Sequence, residues 1–124
     1  MIKIHGKNYV TVSERVQALI ESKQEYSITT EVITHTPVLV KATVTIGENV
    51  YTGHSAANPA KAIEKASPYE VAETSAIGRA LGFAGFGIEE GIASADEIAK
   101  APYNADLSDI EGTESIINLD KDPI

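Results

Sequence analysis

One nine-residue segment constrains the fold of this chain more firmly than any other. In residues 38–46, one set of alternate positions holds Val38, Val40, Ala42, Val44 and Ile46, and the other holds Leu39, Lys41, Thr43 and Thr45. Because successive side chains of a strand point to opposite faces, this period of two predicts a β-strand with one buried face and one solvated face. Half-buried strands of this kind are typical of antiparallel sheets.

The flanking segments predict a three-stranded antiparallel meander around that strand. Residues 27–36 are rich in Thr, Ile and Val and predict a strand, and Pro37 predicts a bend or a sheet edge after it. Gly47-Glu48-Asn49 is typical of a hairpin turn, from which residues 50–56 return as the third strand. Residues 3–10 predict a short edge strand that is broken at Gly6.

Three segments predict helices. Thr11 or Ser13 can cap a helix over residues 13–24, and Ser67-Pro68-Tyr69-Glu70 is a capping box that predicts a helix from 68 to about 82. A second capping box, from Ser94 to Glu97, predicts a short helix that ends near Lys100. We therefore expect an α+β fold in which packed helices cover a small antiparallel sheet or a partly open β-barrel.

The charge of the chain is distributed unevenly. The 124 residues carry a formal charge of -8, with 10 Lys and Arg against 18 Asp and Glu. Residues 1–87 hold eight basic and eight acidic residues, whereas residues 88–124 hold two basic and ten acidic ones. We therefore predict a folded domain over residues 1–100 and an acidic C-terminal tail over residues 101–124.

The motifs of common enzymes and metal sites are missing from the sequence. The chain has no Cys, its three His are scattered, and it contains neither a nucleophile elbow nor a phosphate-binding P-loop sequence. We expect no catalytic activity, no metal and no cofactor. The sequence also has no secretory signal and no apolar run of roughly 20 residues, so we expect a cytoplasmic protein without a membrane partner.

Two features predict binding of single-stranded nucleic acid. The solvated strand face carries Lys41 with Tyr51 or His54 on the next strand, and the glycine-rich residues 82–87 can present Phe83 or Phe86. Cations for phosphates and rings for bases are the two parts of a single-strand platform. An ordinary solvated sheet face and a helix stop with at least one Phe in the core are the alternatives. The candidate contacts are Lys3, Lys7, Tyr9, Lys41, Tyr51, His54, Lys61, Lys65, Arg79, Phe83 and Phe86.

A longer motif resembles a known family. Residues 67–98, SPYEVAETSAIGRALGFAGFGIEEGIASADEI, and the opening IHGKNYVTVSERV are similar to the single-stranded DNA-binding proteins of bacteriophages that infect Gram-positive bacteria, among them the small early proteins of lactococcal siphoviruses. The most specific part is residues 73–88. The resemblance implies a variant of the OB-fold, coating of single-stranded DNA in phage replication and recombination, and a place in the host cytoplasm. We expect a homo-oligomer, either a dimer or a tetramer.

The C-terminus carries a second resemblance. Residues 118–124, NLDKDPI, are similar to the acidic tip of bacterial single-stranded DNA-binding proteins, which docks onto replication and recombination proteins. Asp120, Asp122 and Pro123 match that tip, whereas Ile124 replaces its terminal Phe and Lys121 interrupts its acids. The resemblance implies that this segment recruits such partners.

Two other functions fit the same sequence. A helix, a strand meander and a second helix also suit a single-strand annealing protein, which would accelerate the pairing of complementary strands. The charge of -8 would also suit an acidic interaction protein that mimics DNA or inhibits a host enzyme.

Overall fold

The computed structural model describes residues 1–89 and 91–100 and confirms the α+β class. The predicted tail over 101–124, with Asp120, Asp122, Pro123 and Ile124, lies outside the described residues. The elements follow in the order β1 (Ile2–Ile4), β2 (Lys7–Tyr9), α1 (Val12–Glu21), β3 (Tyr26–His35), β4 (Val38–Ile46), β5 (Asn49–Ala56), α2 (Ala62–Ala66), α3 (Pro68–Phe83) and α4 (Ala95–Lys100).

The central sheet is the predicted meander, with β4 between β3 and β5 and both pairings antiparallel. Every second residue of β4 is buried, from Val38 to Ile46, as its alternation predicts. The buried face of β4 forms the middle of the hydrophobic core. Within residues 1–89 and 91–100 the sheet does not close into a barrel, so β3 and β5 are its two edge strands.

The N-terminal segment differs from the single broken strand that we predicted. Strands β1 and β2 form a separate antiparallel hairpin in which Ile2 pairs with Tyr9 and Ile4 with Lys7. Its two-residue turn has φ of 53° at His5 and 83° at Gly6. Positive φ at both central positions is what a type I′ hairpin turn requires, and the unusual conformation of His5 left no signal in the sequence.

Helix α3 packs against the inner face of the sheet through its small residues. Ala72, Ala76 and Ala80 are fully buried in the core. On β5, a Cβ atom added at Gly53 would lie 2.5 Å from the backbone oxygen of Ala76 and 2.5 Å from the backbone nitrogen of Ala80. Only glycine permits this approach, which fixes the height of α3 above β5.

The start of α3 corrects one prediction. Pro68 is the first helical residue, as expected, but the Ser67 side chain makes no capping hydrogen bond. Ser67 also ends α2, where its N–H donates to the Ile63 carbonyl, and its φ of -136° and ψ of 60° belong to that junction. The sequence pattern of a capping box was therefore present without its geometry.

Helix α1 is capped as the sequence predicts but ends earlier. Thr11 Oγ1 accepts from Glu14 N–H, and the Glu14 carboxylate accepts from Thr11 N–H. That carboxylate also accepts from the N-terminal ammonium, and these hydrogen bonds lower the pKa of Glu14, the ammonium contributing most. The helix ends at Glu21, before the predicted end at Gln24, because Lys23 adopts a φ of 61°.

Arg15 occupies a position inside the apolar stripe of α1 and is 1% exposed. Its Nη1 donates to the carbonyls of Gly78 and Ile92, both at 2.7 Å, and its Nη2 donates to the Gly87 carbonyl at 3.0 Å. Burial lowers the pKa of Arg15, while the nearby Glu97 carboxylate acts in the opposite direction. The guanidinium thus ties α1 to α3 and to the loop that follows α3.

Helix α4 begins with the second predicted capping box. Glu97 N–H donates to Ser94 Oγ at 3.3 Å, and Ser94 N–H donates to Glu97 Oε1 at 3.2 Å. Asp96 in its first turn accepts from Val12 N–H at 2.7 Å, which joins α4 to the start of α1. This arrangement holds the Glu97 carboxylate close to α3.

Candidate functional site

A groove of about 540 Å³ runs along the edge of the sheet at β5, between that strand and the C-terminal half of α3. Its walls contain Val50, Tyr51, Thr52, Gly53 and His54 from β5, and Arg79 and Phe83 from α3. The close contact of α3 with Gly53 positions both walls, because a Cβ atom at Gly53 would lie 3.0 Å from Arg79 Cβ. The groove thus depends on the packing of the helix on the strand.

Arg79 and Phe83 form the helical wall of this groove. They are four residues apart and so lie on the same side of α3. The guanidinium carbon of Arg79 is 5.7 Å from the centroid of the Phe83 ring, within the range of a cation–π interaction. Phe83 is 51% exposed, so much of its ring is available to a ligand.

The charge of Arg79 is partly balanced by a carboxylate. Arg79 Nη1 lies 3.4 Å from Glu97 Oε2 on α4, and the Glu97 side chain is largely buried. The Arg79 side chain remains 35% exposed, so the guanidinium can still meet an anion from solvent. An incoming phosphate would either bind Arg79 together with the Glu97 carboxylate or displace that carboxylate from Arg79.

Tyr51 and His54 contribute from opposite faces of β5. Tyr51 pairs with Val44 and packs against the core, whereas His54 pairs with Lys41 on the open face of the sheet. Because β5 is an edge strand of the described sheet, both faces border the groove. Lys41 therefore shares the open sheet face with His54, one of the two residues that the sequence offered there, and Tyr51 lies on the opposite face of the strand.

The structure therefore places four predicted contact residues in one groove: Tyr51, His54, Arg79 and Phe83. Together these residues offer a cation for a phosphate oxygen, from Arg79, and rings that can stack on an unpaired base. Lys41 lies next to His54 on the open sheet face, where it also pairs with Glu31 of β3. This neighbouring carboxylate reduces the positive potential around Lys41.

The other predicted contacts lie elsewhere. Lys3, Lys7 and Tyr9 belong to the β1–β2 hairpin, and Lys61 precedes α2. Phe86 packs against the hydrophobic core, which is the alternative that the sequence left open for one of the two Phe rings. The glycine-rich residues 82–87 thus direct one Phe outward and the other inward.

Lys65 lines a different cavity, of about 690 Å³, at the junction of the sheet with α2. Its walls are mainly apolar and include Pro37, Val38 and Pro59. His35, also in this wall, has its Nδ1 2.8 Å from the Tyr69 hydroxyl. The buried Glu64 carboxylate at this site accepts from Asn58 N–H at 2.7 Å and so stabilises the loop before α2.

Sequence reasoning missed two residues that shape the groove. Gly53 in the middle of a strand was a signal of close backbone approach, although its partner could not be named from the sequence. Glu97 was recognised as part of a cap, but its contact with Arg79 depends on how α4 packs. Arg15, which is buried but does not line the groove, stood at a stripe position of α1 and left no other signal.

Two other kinds of site are absent from the part of the chain that the structure describes. Residues 1–89 and 91–100 contain no group of three or more His, Asp or Glu side chains that could hold a metal ion. No helix in these same residues is long and apolar enough to cross a membrane.

A small α+β fold with an open antiparallel sheet and a groove that pairs a guanidinium with an exposed ring has the parts of a nucleic-acid-binding domain. Residues 16–84, more than half of the chain, match the family model described as Slr1353 N-terminal dsRNA-binding domain-like, and the chain belongs to this family. The matched segment runs from α1 to the end of α3 and includes every residue that lines the groove.

The family match agrees with the resemblance to phage proteins only in the general function, nucleic-acid binding. Its description supports nucleic-acid binding in general, but the matched family is not that of the phage single-stranded DNA-binding proteins. Comparison with curated proteins finds no match, and neither does comparison with solved structures.

Proposed function

We propose that this protein is a non-enzymatic binder of single-stranded nucleic acid, and of single-stranded DNA in particular, with little sequence preference. The binding site is the groove between β5 and α3. The observation that carries the proposal is the exposed Phe83 ring beside the Arg79 guanidinium. A base can stack on the ring while its phosphate meets the cation, and stacking accepts any base.

The groove favours a single strand over a duplex. Double-stranded RNA is recognised through its shape, by contacts to 2′-hydroxyls and phosphates across successive grooves. Such contacts call for several cations along one surface, whereas residues 1–87 are electrically neutral and the groove contains Arg79 alone among the described Lys and Arg residues. An exposed ring finds a partner in an unpaired base, which a duplex does not offer.

The charge balance also predicts how binding responds to salt. For single strands, the logarithm of the binding constant falls with the logarithm of salt concentration with a slope of about -0.7 for each phosphate neutralised. With Arg79 in the groove and Lys41 nearby, we expect a shallow slope, and most of the affinity should come from stacking.

The test is fluorescence anisotropy with labelled oligo-dT, a single-stranded RNA of equal length, and DNA and RNA duplexes, each at rising salt. We expect the single strands to bind more tightly than either duplex. Phe83→Ala should weaken binding to oligo-dT by about 1–3 kcal/mol, the range for loss of one stacked ring. Tyr69→Ala is the matched control, since Tyr69 is an exposed ring outside the groove.

Two results would contradict this function. Tighter binding of duplex RNA than of oligo-dT would instead favour double-stranded RNA binding, the function that the family name suggests. Equal affinity of Phe83→Ala and the unaltered chain for oligo-dT would show that the groove is not the binding site. Circular dichroism of both variants establishes that any loss of binding is not a loss of fold.

The phage resemblance suggests the setting of this activity, namely the coating of single strands in DNA replication and recombination. The two alternative functions have their own tests. An annealing protein would accelerate the pairing of complementary strands, whereas a coating protein would not. A DNA mimic would lose its activity when residues 103–124 are deleted, whereas a DNA-binding protein would keep or improve its affinity.

A further inference from the structure

The edge strand on the other side of the sheet offers an unpaired backbone. Strand β3 spans ten residues, Tyr26–His35, and in residues 1–89 and 91–100 it pairs only with β4. Its other edge therefore presents a row of N–H and C=O groups that can pair with a further strand. Nearly all of its side chains are exposed.

Most natural edge strands carry features that prevent pairing, and β3 has few of them. Edge strands are usually short or contain Lys, Pro or inward-pointing charges. Between Tyr26 and His35 the only Lys, Arg, Asp, Glu or Pro residue is Glu31. The one irregularity is a change of register between Val32 and Thr34, so the stretch from Tyr26 to Val32 is regular.

The helix-facing side of β3 is also poorly covered. Tyr26 and Val32 share this side with the buried Ile46 and Val40 of β4, yet Val32 is 40% exposed and Tyr26 is exposed to a similar extent. A hydrogen bond from Thr30 Oγ1 to Glu73 Oε2, at 2.7 Å, joins β3 to α3. An apolar margin of the core therefore reaches solvent along this edge.

We infer that β3 pairs antiparallel with β3 of a second copy of this chain, about a two-fold axis at Thr29, to form a continuous six-stranded sheet. Thr29 is the midpoint of the regular stretch from Tyr26 to Val32. A two-fold axis there aligns the whole stretch, so that each Thr29 faces its counterpart. This inference does not depend on the nucleic-acid function.

The side chains are compatible with this register. It sets Tyr26 of each copy opposite Val32 of the other, and these side chains cover the exposed margin of both cores. Glu31 lies opposite Ser27, so no like charges meet. A two-fold axis at Glu31 would instead place two carboxylates face to face, which is unfavourable.

A second copy fits this edge because it supplies a strand of the same length and pattern with its own free edge. An isologous pairing satisfies both edges at once and closes the assembly as a dimer. The two β5 edges then lie at the far ends of the joined sheet, so both grooves stay open.

Sedimentation velocity of the full chain at increasing concentration tests the association. We expect a dimer, which Val32→Lys converts to a monomer because it places a charge at the joined edge. Val50→Lys is the matched control, since Val50 is an exposed Val on the opposite edge strand, and this variant should remain a dimer. A monomeric unaltered chain at every concentration, or a Val32→Lys variant as dimeric as the unaltered chain, would overturn the inference.

A cysteine variant tests the register without relying on Val32→Lys to fold. The chain has no Cys, so Thr29→Cys introduces a single thiol. Across the proposed axis the two thiols face each other at a distance that a disulfide can bridge, and mild oxidation should yield a covalent dimer. Thr52→Cys, at an exposed position on β5, is the control and should cross-link much less. Equal cross-linking of the two variants would reject the proposed pairing.

Discussion

The two edge strands of one sheet differ in what lies beside them. Strand β5 lies against α3 at Gly53, and the helix adds Arg79 and Phe83 to that edge. Strand β3 lies beyond the main contact of α3 and presents mainly backbone and uncharged side chains. The position of one helix thus determines which edge has a side-chain groove and which edge exposes only a strand.

The largest expected effect comes from removing the Arg15 guanidinium, which ties α1 to α3 and to the loop that follows α3. Arg15→Met removes the donor that Arg15 supplies to the carbonyls of Gly78, Ile92 and Gly87. Because each hydrogen bond to a charged group contributes about 1.5–3 kcal/mol, we expect the free energy of unfolding to fall by about 3–5 kcal/mol. Denaturant unfolding measures this loss. Arg15→Lys keeps a charge but loses the planar fork, so it should be intermediate. An unchanged stability would show that the buried guanidinium is dispensable.

A smaller change breaks the contact that distinguishes the β5 edge. Gly53→Ala places a methyl group against backbone atoms of Ala76 and Ala80, and we expect a loss of about 3 kcal/mol in the free energy of unfolding. Thr52→Ala, at the exposed neighbouring position, should change stability by less than about 0.5 kcal/mol. Equal stability of the two variants would mean that α3 can move away from β5 at little cost.

Placing the same charge on each edge separates the two proposed roles. Val50→Lys adds a cation to the groove, so it should strengthen binding to oligo-dT and make the salt slope steeper by about 0.7. Val32→Lys should weaken the dimer and leave the salt slope of each protomer unchanged. Anisotropy at several salt concentrations gives both slopes. Equal changes of the salt slope in the two variants would show that the β5 edge binds the strand no more than the β3 edge does.

The smallest effect concerns the partner of Arg79. Glu97→Gln removes the carboxylate beside the guanidinium and should improve the affinity for oligo-dT by about 0.2–1 kcal/mol, a small effect because Arg79 is partly exposed and the contact with Glu97 is long, at 3.4 Å. Glu73→Gln is the matched control, because it removes the same charge from α3 outside the groove. If both variants improve binding equally, net charge rather than the ion pair with Arg79 limits the affinity.

Local patterns predicted most of the elements. The alternation of β4 and the capping box of Thr11 and Glu14 involve neighbours along the chain, so the sequence shows them directly. Prediction failed where a residue served two elements or took an uncommon backbone conformation. Ser67 ends one helix while it precedes another, and His5 has a positive φ.

The candidate site was predicted only as a set of residue types. Cations and rings could be selected from the sequence, and Tyr51, His54, Arg79 and Phe83 were among them. Their convergence depends on the contact of α3 with Gly53, which joins residues more than twenty positions apart in the chain. The separation of Phe83 from Phe86 depends on the turn after α3, where Gly85 has a φ of 100°.

By itself, the sequence determined the period of the central strand, the order of β3, β4 and β5 between helices α1 and α3, and the concentration of negative charge after Gly87. These properties depend on residues that are close in the chain. Only the tertiary structure decided that Arg15 is buried, that Arg79 meets Glu97, and that one edge of the sheet is lined by α3 while the other is open. Those outcomes depend on where packed elements meet, and close packing is a property of the whole fold rather than of any one segment.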